Sequence, residues 1–497
     1  MLPMIVPNLV GIAQSDNKFG LMSGCASPPL FFCPAKSVYW VRLKIHWGNP
    51  QPSENTMKLS GTLSGTLSRR QFLTASAMAT AAAFPTPAIF GATDKKYRVA
   101  LVGSGWWGMN ILNAAIQTKT VEPVALVDVD KRHLDSATKK IEEATGTAPK
   151  AFKDYRDMLE RIKPDIVINA TPDHWHALIT IAACKAGAHV YVEKPISHTI
   201  NEGIAMVKTA RETKRTVQVG THRRTSPHNR AAMDFLKSGK LGKIGSVRAF
   251  VHYQGGAGSK TPDSQAPAEL DWDMWCGPAP LVPFNAAIHP GGFRNFMNFA
   301  NGQLGDWGIH WLDQILWWSK EEQYPKSVAS TGGRFIAEDN SDGPDTQHTI
   351  FQFDKFDVVW EHRRYSGNPP ERHHIGLYFY GTGGTLHLGW QDGWSFYPSG
   401  DMNVEPAESM APQLDKPDDQ NIAPLWMDFV SCIESGKQPV SDIEHGHRST
   451  TMALLGMVSL KLGRGIVWDG VKQTIPNDPE ACKLLARTYR APWVYPQ

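Results

Sequence analysis

Tyr97-Arg98-Val99-Ala100-Leu101-Val102-Gly103-Ser104-Gly105-Trp106-Trp107-Gly108 decides the fold of this chain. An apolar β-type run feeds Gly103-x-Gly105-x-x-Gly108, and a helical pattern starts at Met109. Gly103 permits a tight turn, and Gly105 lets the backbone approach a pyrophosphate. Gly108 lets the helix pack close to the strand, and the helix N-terminus supplies free N–H groups and a positive dipole. The glycine pattern alone is weak. Here a second strand, Pro123-Val124-Ala125-Leu126-Val127-Asp128, ends in a carboxylate twenty residues after Gly108. A dinucleotide fold places its ribose-binding acid there.

Outward from this stretch, short β runs alternate with helices. The pattern predicts strands at Arg98–Val102, Val121–Val127, Ile166–Ala170, Val190–Glu193 and Val217–Val219, with helices that include His176–Ala186 and Ile204–Glu212. That rhythm predicts an α/β, Rossmann-type doubly wound domain over 96–221. After Thr221 the texture changes. A helix near His228–Ser238 precedes the strand Gly245–Tyr253 and a long Gly/Pro/Trp-rich segment, Gln254–Asn301. Strands with period two follow at Ser327–Gly333, His348–Phe353, Val358–Arg363, Ile375–Tyr380 and Thr385–Leu388. Helices at Leu425–Ser435 and Glu444–Leu462 close the chain. Residues 222–497 therefore read as an α+β domain for substrate and oligomerisation, with a mostly antiparallel open sheet and helices on one face.

The chain has 497 residues and a formal net charge of +3. Residues 1–92 hold seven of its bases and two of its acids, so the remainder carries −2. No basic tail or patch points to nucleic acid. Ser68-Arg69-Arg70-Gln71-Phe72-Leu73, followed by an Ala-rich stretch to Phe90, is similar to a Tat export signal. We therefore read 57–92 as a signal segment opening at Met57, and 1–56 as an over-extended start or a disordered leader. The expected location is periplasmic or otherwise extracytoplasmic, with membrane anchoring only through an uncleaved signal. The six cysteines include no C-x-x-C pair.

Val192-Glu193-Lys194-Pro195 ends the parallel strand predicted at Val190–Glu193. Ligands of such sheets bind outside the carboxyl ends of the strands, which places Lys194 near a nicotinamide as a proton donor or acceptor. From the residues alone, a surface lysine before a proline turn reads as well. The glycine loop, Ala170-Thr171-Pro172-Asp173-His174-Trp175-His176, Glu193-Lys194-Pro195 and Asp306-Trp307-Gly308-Ile309-His310 together resemble the Gfo/Idh/MocA oxidoreductase family. The resemblance covers roughly Lys96 to Pro496. The segment Leu270–Pro278 and the closing Arg490-Ala491-Pro492-Trp493 are similar to exported members.

That resemblance implies that Lys194 is the catalytic lysine, in a Glu-Lys-Pro segment with a cis peptide. It implies that Asp306 orients substrate and that His310 takes the hydroxyl proton, a task suited to a side chain that changes charge near neutral pH. Their i, i+4 spacing puts both on one helical face. The cofactor set is then Gly103, Gly105, Trp107, Gly108, Asp128, Thr171, Pro172, His176, Glu193 and Lys194. Trp107 either walls the cofactor or packs beneath the loop. Asp128 argues for NAD, while Lys131 and Arg132 just beyond it keep NADP open.

His174 with His176, His373 with His374, and His445 with His447 lack an acidic partner at ligand spacing, so no metal is expected. Trp272, Trp275, Trp307, Trp311, Trp317 and Trp318 read either as walls of a sugar pocket or as core. Arg223 and Arg224 read as ligand contacts or surface salt bridges. Apolar residues such as Phe351, Phe353, Val358 and Trp360 fit either a symmetric dimer or tetramer or a helix-covered face. The functional expectation is an NAD(P)-dependent oxidoreductase acting on a hydroxyl of a sugar, polyol or sugar derivative, with tightly held cofactor. The alternatives are a glycosidase that works by transient oxidation and elimination, and a non-catalytic sugar-sensing protein.

Overall fold

Apolar residues on both faces of Tyr97–Val102 (β1) bury it within a six-stranded parallel sheet. The computed structural model describes residues 96–320, 324–367, 371–400 and 405–497. The leader and signal segments read from the sequence lie outside them. The other strands of this sheet are Val121–Val127 (β2), Lys150–Phe152 (β3), Ile166–Asn169 (β4), His189–Val192 (β5) and Val217–Val219 (β6). Their order is β3-β2-β1-β4-β5-β6. The chain thus winds outward from β1 in both directions, and a crevice opens beyond the strand ends where the direction reverses.

Helices Trp106–Gln117 (α1), Lys131–Thr145 (α2), Tyr155–Ile162 (α3), Asp173–Lys185 (α4) and Ile200–Glu212 (α5) connect the strands. Local chemistry sets several of their ends. Asp130 caps α2 through the Arg132 N–H, and Gly146 closes it in the left-handed region at φ 76°. Thr199 and Glu202 form a capping box on α5. The three-residue β3 is absent from the sequence reading; it pairs only with β2, and so short a run carries no period of its own.

After Pro227–Lys237 (α6), a nine-stranded sheet follows. Its strands are Ile244–His252 (β7), Ser327–Gly333 (β8), Thr346–Gln352 (β9), Asp357–Arg363 (β10), Ile375–Gly381 (β11), Gly384–Gly389 (β12), Trp394–Pro398 (β13), Glu408–Met410 (β14) and Ile466–Val467 (β15). The order is β14-β13-β12-β11-β7-β10-β9-β8-β15, and every pairing except β7–β10 is antiparallel. The edge strands β14 and β15, and β13 next to β14, also escape the sequence reading.

Helices Ile309–Trp318 (α7) and Ile443–Leu462 (α9) share one core with the inner face of this sheet. Phe351, Phe353, Val358 and Trp360 all lie in that core. Their apolar character is thus explained by helix cover and not by an open pairing face. Helix Ile422–Ser435 (α8) returns to the first sheet, where Ile422, Leu425, Trp426 and Phe429 pack with residues of β1 and α1. The C-terminal residues close on the same half: the Trp493 ring meets Trp175 edge-on at 4.7 Å, and Tyr489 donates to Glu202 at 2.7 Å. No described helix is long and apolar enough to cross a membrane.

Candidate active site

The three glycines of the first turn do different work. Gly103 has φ +88°, and a Cβ there would lie 2.6 Å from the Ala170 carbonyl oxygen. A Cβ on Gly108 would lie 2.0 Å from the Gly103 carbonyl oxygen. A Cβ on Gly105 would meet nothing, because it would project into open space. That vacant approach beside the first N–H groups of α1 suits an anionic pyrophosphate.

The turn lines a cleft of about 510 Å³ along the carboxyl ends of the first sheet. Gly105, Trp107, Asp128, Thr171, Pro172, His176, Glu193, Lys194, Asp306 and His310 line it with Gly103 and Gly108. The structure therefore brings together every residue that the sequence assigned to cofactor or chemistry.

At one end, Asp128 accepts from the Ser104 N–H at 2.8 Å, the Ser104 hydroxyl at 3.0 Å and the Asp130 N–H at 2.9 Å. Burial raises this carboxyl, and these hydrogen bonds with nearby His133 oppose the rise. Lys131 pairs with Asp135, and Arg132 binds Asp130 through Nε and Nη2. Both bases that left NADP open thus have carboxylate partners of their own, and Asp128 faces the cleft.

At the other end, Lys194 follows β5, before a cis Lys194–Pro195 peptide. Its Nζ donates to Asp306 Oδ1 at 2.7 Å and to the Asp306 carbonyl oxygen at 2.8 Å. Arg294 Nε lies 3.3 Å from the same Oδ1. Burial would raise the Asp306 carboxyl, but Lys194 and Arg294 overcome it and hold it below its ordinary value. His310 is buried and its Nδ1 has no partner among the described residues. Burial, then Lys194, His222 and Arg223, push its pKa well below the usual value. The imidazole is therefore neutral at neutral pH, and its charge change lies below the near-neutral range expected from the sequence, because burial and these cations disfavour the protonated form.

The segment carrying Asp306 is a π-turn, Leu304–Gly308, that runs into α7 and not a continuous α-helix as the spacing predicts. Such turns recur at functional sites. Gly305 and Gly308 fit tightly in it: a Cβ on either would lie 2.6 Å from a side-chain carbon of Asn301 or Leu304.

His176 contacts the carbonyl oxygens of Thr171 and Pro195, each at 2.7 Å, and so ties two cleft-lining loops together. Burial lowers its pKa to about 4. Burial pushes Glu193 up to about 7, against the lowering effect of Trp107 and Lys194. Trp107 lines the cleft on the Glu193 side, and Trp106 is 75% exposed at the rim. Of the six tryptophans singled out, Trp275 and Trp307 line the cleft. Trp272 stacks on Trp275 at 4.6 Å, and Trp311 is fully buried core. Trp317 and Trp318 pack against that same core.

Neither reading of the two arginines holds. Arg223 and Arg224 are each 2% exposed, because the 3-10 turn His222–Thr225 directs them inward. Arg223 lies 3.4 Å over the Trp390 ring and donates to the Trp390 carbonyl and to Asp418 at 2.7 Å. Arg224 binds Asp313 at 2.8 and 2.9 Å. His222, Trp390 and Asp418, absent from the sequence assignments, line the cleft with Arg294. None lies in a readable motif.

Of the histidine pairs, that at His373 differs from expectation, while His174 and His176 diverge. His174 contacts the Trp275 and Phe299 carbonyls, away from the His176 partners. His373 does have an acidic neighbour, Asp392, at 2.5 Å, and its ring stacks on His387 at 3.6 Å.

Family comparison rests on both halves of this architecture. The model of an oxidoreductase family with an NAD-binding Rossmann fold matches residues 97–221. The model of its C-terminal α/β domain matches 244–338 and 397–495. This chain belongs to the Gfo/Idh/MocA oxidoreductase family. Its first domain is the family's NAD-binding domain. Among similar curated proteins is a glycosyl hydrolase family 109 protein of Stenotrophomonas maltophilia, 30% identical over 196 residues. That match covers 38% of this chain and 42% of the relative. A second, from Akkermansia muciniphila, is 28% identical over 165 residues, 32% of this chain and 34% of the relative. The chain thus matches less than half the length of these relatives.

Among solved structures, a levoglucosan dehydrogenase in complex with NADH and levoglucosan superposes with TM-score 0.60 at 18% identity. It covers 75% of this chain and 99% of that one. The WlbA dehydrogenase of Bordetella pertussis, in complex with NADH and UDP-GlcNAcA, gives TM-score 0.56 at 19% identity and covers 76% and 99%. At these identities the likeness establishes the shared fold.

Proposed function

We propose that this chain is an NAD-dependent oxidoreductase acting on a hydroxyl of a sugar, polyol or sugar derivative. The observation that carries this reading is the Lys194–Asp306 pair beside a neutral, buried His310 in the cleft that Asp128 and the glycine turn also line. Gly105 and the start of α1 fit a pyrophosphate, and Asp128 fits ribose hydroxyls. NAD, when bound, supplies the hydride acceptor. His310 takes the hydroxyl proton. Lys194 places a positive charge beside the developing alkoxide, and Asp306, held ionised by Lys194 and Arg294, orients the substrate. Trp275, Trp307 and Trp390 supply apolar faces for the C–H surface of a sugar ring and exclude water. Purified protein incubated with a panel of sugars and polyols is expected to carry bound nucleotide and to transfer hydride to it. No nucleotide and no affinity for NAD or NADP would overturn the reading.

A second reading is favoured by the family 109 relatives. A glycosidase that oxidises its substrate transiently uses the same groups without net redox change. Aglycone release without accumulating NADH supports it; stoichiometric NADH opposes it. The twin-arginine segment supports work outside the cytoplasm, with cofactor loaded before export and retained thereafter. Export of a reporter fused after residue 92 is expected to fail when Arg69 and Arg70 are both changed to Lys.

The outer face of the second sheet supports self-association. Ile350 and Tyr380 are exposed there, beside stacked Phe250 and Tyr378. Light scattering showing only monomers at micromolar concentration would refute it.

A further inference from the structure

Asp173 opens α4 in the motif Thr171-Pro172-Asp173. It is 7% exposed and lines the cleft. Among the described residues it has no hydrogen-bond or ion-pair partner beyond its own N–H. Buried carboxylates are ordinarily paired or hydrogen-bonded. The charged groups that act on it are Arg294, Asp306 and Lys194, so it belongs to the chemical end of the cleft. Lys194 lies beyond the carboxyl end of β5 and Asp173 beyond that of β4. These positions are on the far side of β1 from Asp128, where a dinucleotide bound through Asp128 places its nicotinamide.

We propose that Asp173 senses the charge of the nicotinamide ring: it is ionised beside the cationic oxidised ring and protonated beside the neutral reduced ring. The inference rests on the NAD-binding reading above. The charge balance is complete. Oxidising a hydroxyl sends a hydride to the ring and a proton to the site. The ring loses one positive charge. The proton that His310 takes from the hydroxyl passes on to Asp173, so His310 returns to neutral and Asp173 loses one negative charge. In the reverse direction Asp173 returns the proton.

Burial raises Asp173 strongly, Arg294 lowers it, Asp306 raises it and Lys194 lowers it, with the balance at about 7. The α4 N-terminus adds a modest preference for the anion. One further positive charge in the same cleft shifts this balance toward the ionised form. The other groups facing this end are Glu193 beside Lys194, His310 on α7, His222 after β6 and His176 on α4. The three histidines are held neutral by burial. Glu193, also raised to about 7, is the competing titrating group.

The test uses the purified full chain with NAD⁺ and NADH, measuring both Kd values from about pH 6 to about pH 8. The ratio Kd(NADH)/Kd(NAD⁺) is expected to rise with pH by about tenfold for each unit that separates the Asp173 pKa of the two complexes. Asp173→Asn is expected to flatten this ratio, and Glu193→Gln to keep its slope. Calorimetry of the unmutated protein in two buffers of different ionisation enthalpy should show extra proton uptake with NADH relative to NAD⁺ near pH 7. That measurement stands even if Asp173→Asn folds poorly. A flat ratio in the unmutated protein overturns the inference, as does a slope that survives Asp173→Asn or disappears in Glu193→Gln. If neither nucleotide binds, the NAD-binding reading fails and takes the inference with it.

Discussion

Lys194→Ala separates chemistry from cofactor binding in this cleft. The substitution removes a cation that donates at 2.7 and 2.8 Å to two oxygens of Asp306, with both side chains largely buried. Loss of one partner of a buried pair typically costs ~3–5 kcal/mol. Here Arg294 stays 3.3 Å from Asp306 Oδ1 and keeps the carboxylate partly compensated. The stability loss should therefore fall nearer ~1–3 kcal/mol, the cost of an under-satisfied buried group. Its pH dependence has a definite sign. Asp306 is depressed in the folded protein, so its contribution is present above the unfolded carboxyl range and lost as pH falls through the folded value. Without Lys194 that folded value rises, and the acid-side loss begins at higher pH. The effect on turnover should be larger, about 10²–10⁴-fold in kcat, the usual scale for a positioned acid–base group. NAD affinity should persist, because Gly105 and Asp128 are untouched. Urea melts at several pH values, nucleotide binding and kcat on an accepted substrate provide the three readings. Full kcat in Lys194→Ala would refute the proposed mechanism while leaving the fold intact.

His310→Ala should lower kcat comparably and remove an ionisation lying well below the usual histidine range from the pH–rate profile. Asp128→Ala should weaken NAD binding and relax its preference over NADP, as read by titration with both nucleotides. The glycines should divide cleanly: Gly108→Ala forces a Cβ to 2.0 Å from the Gly103 carbonyl and should destabilise the protein by ~1–3 kcal/mol, whereas Gly105→Ala should fold normally and lose nucleotide affinity. Arg224→Met removes the guanidinium that pairs with buried Asp313 and should cost ~3–5 kcal/mol in a denaturant melt, with nucleotide binding preserved in the folded fraction.

Much of the site was legible because its parts carry local signatures. A backbone that must turn at φ +88° selects glycine at 103, and a helix that must pass close to a strand selects glycine at 108. An acid at a strand end, as at Asp128, and a lysine just beyond β5 are fixed by position along the chain. Period-two texture located β7 through β12, but not β3, β13, β14 and β15, which span two to five residues and depend on a neighbour for pairing. Spacing placed Asp306 and His310 in the same cleft, yet not the π-turn that carries Asp306, because i, i+4 spacing describes a regular helix.

The sequence by itself determined the dinucleotide turn and most of the element order, which depend on backbone geometry and residue type within a few positions. Its likeness to the family pointed to Lys194, Asp306 and His310 for the proposed chemistry. Tertiary structure alone decided which charges meet and which are dry. Arg223 finds Asp418 across 195 residues, and Lys194 finds Asp306 across 112. His373 finds Asp392 only through the turn of a sheet. Arg294, His222 and Trp390 enter the cleft with no motif to announce them. Burial and Coulomb energy depend on every atom packed around a group, whichever part of the chain supplies it. Asp173 illustrates the difference: the sequence shows an acid after a proline, and only the fold leaves that acid buried, unpaired and facing the cleft.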